Sequence, residues 1–481
     1  MKPTPWKPVT KTLHFLPLAL SFKDTTALKA ARRAIVEKLL KSHASNARLK
    51  EGKWSKALTE HKVELAFLGG GREVGRSAIW VKSSGCSTLL DYGVRVGDPE
   101  PSFPLHVPPR DLDAIVLTHA HLDHAGAAPL LYVSAARPIY ATQLTARTLE
   151  LLLRDFMKLS GYYIPYEWGD VEKMLHHLRP VRPGGRARVR RSWLSFYDAG
   201  HIPGGLQVLI EVGGKRLLYT GDLNTVETRL LKAAEVTDEE LDALIVEATY
   251  AGVNHPERGS LEEEFVSSIL DVVEDDGRVL VPAFSVGRAQ EILCILSSHS
   301  FSHPVFLDGM ARAVSQVFLE YPSFFKDYGL LKKALSQASW IEGRRDRKRA
   351  LKSPGVIVAP AGMLKGGPAV EYMRWIMDDP RSAVFLVSYQ IPGTPGRTLL
   401  ETGKFELGGE LREVKAAVRW FDFSSHAGDD GLWQLLKSVK GSPKVFVVHG
   451  EEKSCVELAE RASRELGLDA VAPRDGEVYE L

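Results

Sequence analysis

Short apolar runs, each closing on a histidine or a carboxylate, mark the first half of this chain. Val63-Glu64-Leu65-Ala66-Phe67-Leu68 reads as a strand, and the glycine-rich stretch Gly69–Gly75 after it as a tight loop. No helical periodicity follows that loop, so it is not a dinucleotide-binding turn. Ser77–Val81 and Ser87–Asp91 are predicted to be paired strands, and Leu112–Leu117 a buried one. Thr142–Ser160 has the spacing of an amphipathic helix. Strands predicted over Ser195–His201, Arg216–Asp222 and Asp242–Glu247 each end on a possible ligand. With the run before His119, four strand ends carry such residues, which places them along one rim of a sheet sandwich.

From about Ala251 the pattern changes. Helices predicted over Leu261–Val273 and Gly287–Ser297 alternate with apolar runs at Gly277–Pro282, Val305–Leu307, Gly355–Ala359 and Ala383–Val387. Apolar runs without polar alternation mark strands buried on both faces, so an α/β domain with a parallel sheet is expected. After about Val418 the text returns to strands, through Phe423–Gly428 and Lys444–Glu451, then a helix over Ser454–Leu466 and a short strand at Val478–Glu480. No internal repeat is found. The start of the chain differs from the rest. Pro3, Pro5 and Pro8 keep it extended, and Thr25 or Thr26 could cap a helix over Ala27–Leu40.

Composition adds bounds rather than identity. With 481 residues, 44% apolar and 25% charged, two or three soluble globular domains are expected. No run approaches the roughly eighteen apolar residues of a membrane span, and Leu13–Phe22 is too short and lacks a cleavage signature. Cys86, Cys294 and Cys455 are far apart and suggest no disulfide framework, which fits a reducing cytoplasm. The net charge of +2 hides an asymmetry: residues 1–62 hold 14 Lys and Arg against 4 Asp and Glu, leaving the remainder net acidic. A basic extension on an acidic body suggests a polyanionic partner. Residues 179–191, read as a connection, and 343–349 are further basic clusters.

The chemistry concentrates in Thr118-His119-Ala120-His121-Leu122-Asp123-His124-Ala125-Gly126. Three imidazoles and a carboxylate within six residues, at the end of a buried strand, serve no packing purpose. They are the ligand types of zinc and similar divalent metals.

The HxHxDH string at His119, His121, Asp123 and His124, with His201 in DAGH and Asp222 in TGD, resembles the metallo-β-lactamase superfamily. Glu247 in EATY, His426 in FSSHAG, His449 in VVHGE and the inserted α/β segment resemble its β-CASP nucleases. Within these, PAFSVGRAQEIL (282–293) and APAGMLKGGP (359–368) are most similar to the cleavage and polyadenylation specificity factor branch, in its archaeal form without KH domains. The resemblance spans about 64–481. It implies an αββα sandwich over 63–249 and 419–481, a β-CASP domain over 250–418, and a basic, helical N-terminal extension over 1–62.

It also implies roles. His119, His121 and His201 would hold one zinc, Asp123, His124 and His449 a second, with Asp222 bridging both. Two such metals, about 3.5–4 Å apart, can share a hydroxide nucleophile and clamp an in-line displacement at phosphorus. Asp91 would orient a ligand histidine. His426 would be the general acid, held protonated by Glu247. Ser285, Arg288 and Lys365, expected in loops facing the cleft, would take phosphates. Histidine at 449 resembles RNA-processing rather than DNA-repair members, which usually carry valine. The expectation is a two-zinc ribonuclease acting on single-stranded RNA in 3′-end processing or decay, endonuclease or 5′-to-3′ exonuclease, with a homodimer as one candidate assembly. A DNA nuclease, a small-molecule hydrolase of thioesterase or lactamase type, and a non-catalytic scaffold are the competing readings.

Overall fold

The computed structural model describes residues 62–97 and 100–481. The helix expected over 27–40 lies outside them.

Two seven-stranded sheets face one another. The first runs, in spatial order, Val478–Glu480, Val63–Gly69, Ala78–Ser83, Ser87–Leu90, Ala114–Val116, Ile139–Thr142 and Leu178–Val181. The second runs Asp469–Val471, Lys440–Val448, Glu240–Glu247, Lys215–Tyr219, Leu206–Val212, Ser192–Asp198 and Arg186–Val189. Leu65, Phe67, Ile79 and Val81 of the first interdigitate with Phe196, Val208, Ile210 and Phe446 of the second. Burying a side chain of this size stabilises by roughly 1.5–3 kcal/mol, so this layer is a principal source of cohesion. Helices close the outer faces. Leu144, Leu149 and Leu153 of helix Gln143–Ser160 pack with the first sheet. Leu432, Leu435 and Leu458, from helices Asp429–Ser438 and Glu452–Leu466, pack on the second.

The third sheet has six strands, all parallel, in the order Ser339–Trp340, Val305–Leu307, Gly355–Ala359, Arg278–Pro282, Ala383–Leu386 and Ala417–Trp420. Successive residues of its four inner strands enter different cores. Val279 and Val281 meet Phe265 and Ile292, whereas Leu280 and Ile357 meet Tyr372 and Met373. That two-sided burial explains why these strands read as unbroken apolar runs.

Two expectations change. Residues 179–191 are not simply a loop: Leu178–Val181 and Arg186–Val189 each form one edge strand of the two facing sheets. Edge strands expose one side to water and tolerate the alternating arginines that masked the pattern. The last strand of the third sheet, Ala417–Trp420, crosses the boundary expected at 418. Short helices at Met310–Leu319, Tyr328–Gln337, Gly367–Ile376 and Pro395–Thr402 had no sequence expectation. No helix of the described residues is long and apolar enough to cross a membrane.

Candidate metal centre

The rim where strands of the sandwich end collects the polar residues. The strand ending at Leu90 delivers Asp91, and the one ending at Val116 delivers His119 and His121. The short helix Leu122–Ala125 carries Asp123 and His124. His201, Asp222, Glu247 and His449 follow or close strands of the second sheet. Gly93 allows the close approach this needs, because a Cβ there would lie 1.7 Å from the Asp123 carbonyl oxygen.

The residues converge in two overlapping groups. In one, His121 Nδ1 lies 3.2 Å from His119 Nε2 and 3.2 Å from His201 Nε2. Asp222 Oδ2 is 3.6 Å from Nε2 of both His119 and His201. In the other, His124 Nε2 is 3.2 Å from His449 Nε2 and 3.1 Å from Asp222 Oδ1, and Asp222 Oδ1 is 3.2 Å from His449 Nδ1. Asp123 Oδ2 is 3.4 Å from His449 Nε2. Donor atoms of His119, His121, His201 and Asp222, and those of His124, Asp222 and His449, are each close enough together to hold an ion. Asp123 groups in the same way with His119 and His124.

The donor set fits metal. His201 Nδ1 donates to the Ser425 carbonyl at 2.8 Å, and His124 Nδ1 donates to Asp91 Oδ2 at 2.8 Å. With the outer nitrogen committed to donation, the inner nitrogen of a neutral ring presents a lone pair. Asp222 Oδ1 is buried without a hydrogen bond, even though His124 Nε2 is 3.1 Å away, because the contact lacks hydrogen-bond geometry. A buried carboxylate oxygen so placed suits a cation.

The charges are interdependent. Burial lowers the pKa of His121 to about 4 against the pull of Asp123 and Asp222. Burial, then the neighbouring His124, holds His119 well below its ordinary value; burial, then His426, does the same for His201. Neutral imidazole is the ligating form. His124 moves the other way: burial opposes it, but Asp222 and Asp91 raise it well above the usual value. Asp222 is lowered despite its burial, by His124 and His449.

Asp91 is fully buried. Its carboxylate accepts from Thr118 N–H at 2.7 Å, Thr118 Oγ1 at 2.8 Å and the Tyr219 hydroxyl at 2.9 Å, besides His124. Thr118 and Tyr219 were missed in the sequence, although each lies within three residues of a motif position. His426 sits beside this cluster. Its Nδ1 is 2.9 Å from both carboxylate oxygens of Glu247, and its ring centroid is 4.5 Å from that of His201.

The three residues expected to take phosphates differ in setting. Arg288 is not in a loop but opens helix Arg288–Ser298, because Gly287 before it turns the chain. It is buried, and its Nη2 donates to Ser425 Oγ at 2.7 Å. Among the described residues no carboxylate pairs with it. Burial, then Arg258, lowers its pKa to about 10. Ser285 and Lys365 do lie in loops, the first half-buried and the second exposed.

Comparison with known proteins agrees with this geometry. Residues 71–283 match the metallo-β-lactamase superfamily model, 289–399 the Beta-Casp domain, and 412–473 the Zn-dependent metallo-hydrolase RNA specificity domain. The chain is 43% identical to RNase aCSPSF2 of Saccharolobus solfataricus, over 87% of this chain and 85% of that protein. It is 37% identical to the probable RNase MJ4 of Methanocaldococcus jannaschii, over 86% and 99%. It is 32% identical to the transcription termination factor FttA of the same organism, over 84% and 69%. A crystal structure of a protein of unknown function from Enterococcus faecalis V583 shares the fold, with a TM-score of 0.56 at 15% identity, over 87% of this chain and 100% of that one. The chain therefore belongs to the β-CASP ribonucleases of the metallo-β-lactamase superfamily, in their archaeal cleavage and polyadenylation specificity factor-like branch.

Proposed function

We propose that this protein hydrolyses phosphodiester bonds of single-stranded RNA at a two-zinc centre, with His426 giving a proton to the leaving oxygen. The observation that carries the reading is the Glu247–His426 pair, at 2.9 Å, beside seven converging His and Asp side chains. His119, His121 and His201 would hold one ion, Asp123, His124 and His449 the other, and Asp222 both. Zinc so held would supply Lewis acidity toward water and neutralise phosphate charge.

The chain's own residues supply the rest. Asp91 holds His124 in the tautomer that leaves Nε2 free. Glu247 accepts from His426 Nδ1, so the proton available for transfer is on Nε2. Despite burial, the charge of Glu247 and then its hydrogen bond raise the His426 pKa to about 9 in the metal-free protein, which favours the protonated ring. Arg288, buried beside Ser425 with no ion pair among the described residues, is placed to receive an anion. A cation left unpaired in the interior is costly unless the ligand completes it. Ser285 and Lys365 are offered as outer phosphate contacts. Names of the relatives, RNase for two of them, support RNA as the substrate.

The test is incubation with 5′-monophosphorylated, 5′-triphosphorylated and circular RNA, with and without a chelator. Cleavage that zinc restores after chelation is expected. Cutting of the circle would establish endonuclease action, and 5′-end dependence would report exonuclease action. Undiminished cleavage in chelator, or turnover of a thioester but not RNA, would overturn the reading.

A further inference from the structure

The segment after Glu247 is zipped onto the loop that carries His426. Tyr250 and Gly428 form an isolated parallel bridge. The Asp429 N–H donates to the Val253 carbonyl at 3.0 Å, and the Asp430 N–H to Asn254 Oδ1 at 2.9 Å. His255 lies at the centre of this seam. Its Nδ1 is 2.7 Å from Asp422 Oδ2, and its Nε2 is 3.0 Å from the backbone oxygen of His426.

Both partners are acceptors, so each contact needs the ring nitrogen to donate. Asp422 is itself buried, and its other oxygen accepts from the Tyr250 hydroxyl at 3.4 Å. The Tyr250 ring stands 4.5 Å from the His255 ring and 6.2 Å from the His426 ring, centroid to centroid. Gly428 packs close to the ring: a Cβ there would come within 3.0 Å of His255 Cδ2, so a larger residue would press on the imidazole. Glu247 thus holds the His426 side chain and His255 its backbone oxygen, while the His426 N–H donates to Ser424 Oγ at 3.1 Å.

We propose that His255, oriented by Asp422, is a positioning residue for His426. The proposal rests on the reading of His426 as proton donor. His255 acts through the His426 carbonyl, not on substrate. Without it the His426 carbonyl loses its donor, and the loop keeps its other ties, among them the Tyr250–Gly428 bridge, the His426 N–H to Ser424 Oγ at 3.1 Å and the Ala427 N–H to the Leu223 carbonyl at 2.7 Å. Displacing a reacting group by about 1 Å costs on the order of 100-fold in rate. The sequence alone gave no hint, because His255 stands outside every ligand motif and meets Asp422 across 167 positions.

A double-mutant cycle tests it, measured as single-turnover cleavage of a 5′-labelled single-stranded RNA by the zinc-loaded full-length protein. His255→Ala should slow cleavage roughly 10- to 100-fold with KM within about twofold and bound zinc unchanged. Asp422→Asn should give a smaller loss of the same kind. On a His426→Ala background, His255→Ala should cost nothing further, because the group it positions is gone. An undiminished rate for His255→Ala would overturn the proposal. So would full additivity of the two substitutions, or loss of zinc with either His255→Ala or Asp422→Asn. If His426→Ala itself cleaves at the wild-type rate, the underlying reading of His426 fails instead, so the two failures are distinguishable. Should His255→Ala melt early, His255→Gln, which keeps one donor, takes its place in the same cycle.

Discussion

Both carboxylate oxygens of Glu247 lie 2.9 Å from Nδ1 of His426. Burial disfavours the charged imidazole, yet Glu247, then Asp222 and Asp123, raise its pKa to about 9. A raised histidine pKa stabilises the fold fully below the ordinary value of about 6.5. That contribution fades as pH rises through about 9. In metal-free protein, NMR should find His426 titrating near 9, and Glu247→Gln should bring it to 6.5 or lower. A ring still titrating near 9 in the variant would mean that Glu247 is not the cause.

His426→Ala should retain both metal sites and slow cleavage by roughly 10²–10⁴-fold, the usual worth of a positioned proton donor. Metal analysis beside single-turnover kinetics checks it. Lost metal with an undiminished rate would reverse the assignment.

Asp222 reaches both groups of histidines, through Oδ2 on one side and Oδ1 on the other. Asp222→Ala should therefore remove both ions and abolish cleavage. Elemental analysis showing two zinc ions per chain in the variant would exclude a shared role.

Gly93→Ala meets the backbone of two candidate ligands and none of their side chains. Its new methyl would fall 1.7 Å from the Asp123 carbonyl oxygen and 2.7 Å from the His124 nitrogen. The turn carrying those two residues must shift. A fall in zinc affinity with near-native circular dichroism is expected, and unchanged affinity would show that the turn can yield without moving the ligands.

Arg288→Met removes a buried cation that has no carboxylate partner among the described residues. KM for RNA should rise several-fold while the Tm of the free protein holds or increases, since an unpaired buried charge costs stability. A lower Tm with unchanged KM would make Arg288 a structural residue.

Much of the candidate metal centre was legible because the residues that could hold a metal are tied to strand ends. A buried strand must be apolar, so a histidine or aspartate that interrupts it stands out, as at His119, Asp222 and His449. The third sheet was legible for the same reason, through runs such as Val279–Val281. The edge strands Leu178–Val181 and Arg186–Val189 were not, because one exposed side lets arginine erase the apolar pattern. The five short α-helices within 310–402, from Met310–Leu319 to Pro395–Thr402, also escaped.

By itself, the sequence determined which residue types end the strands, and therefore that a divalent metal could be held. Only the tertiary structure decided how they combine. It placed His124 against His449 across 325 positions, gave Asp91 to Thr118, Tyr219 and His124 at once, and set His255 and Asp422 beneath His426. The physical reason is that strand order is fixed by the burial of whole faces. A side chain's distant partners follow from that order, and local sequence carries no record of them.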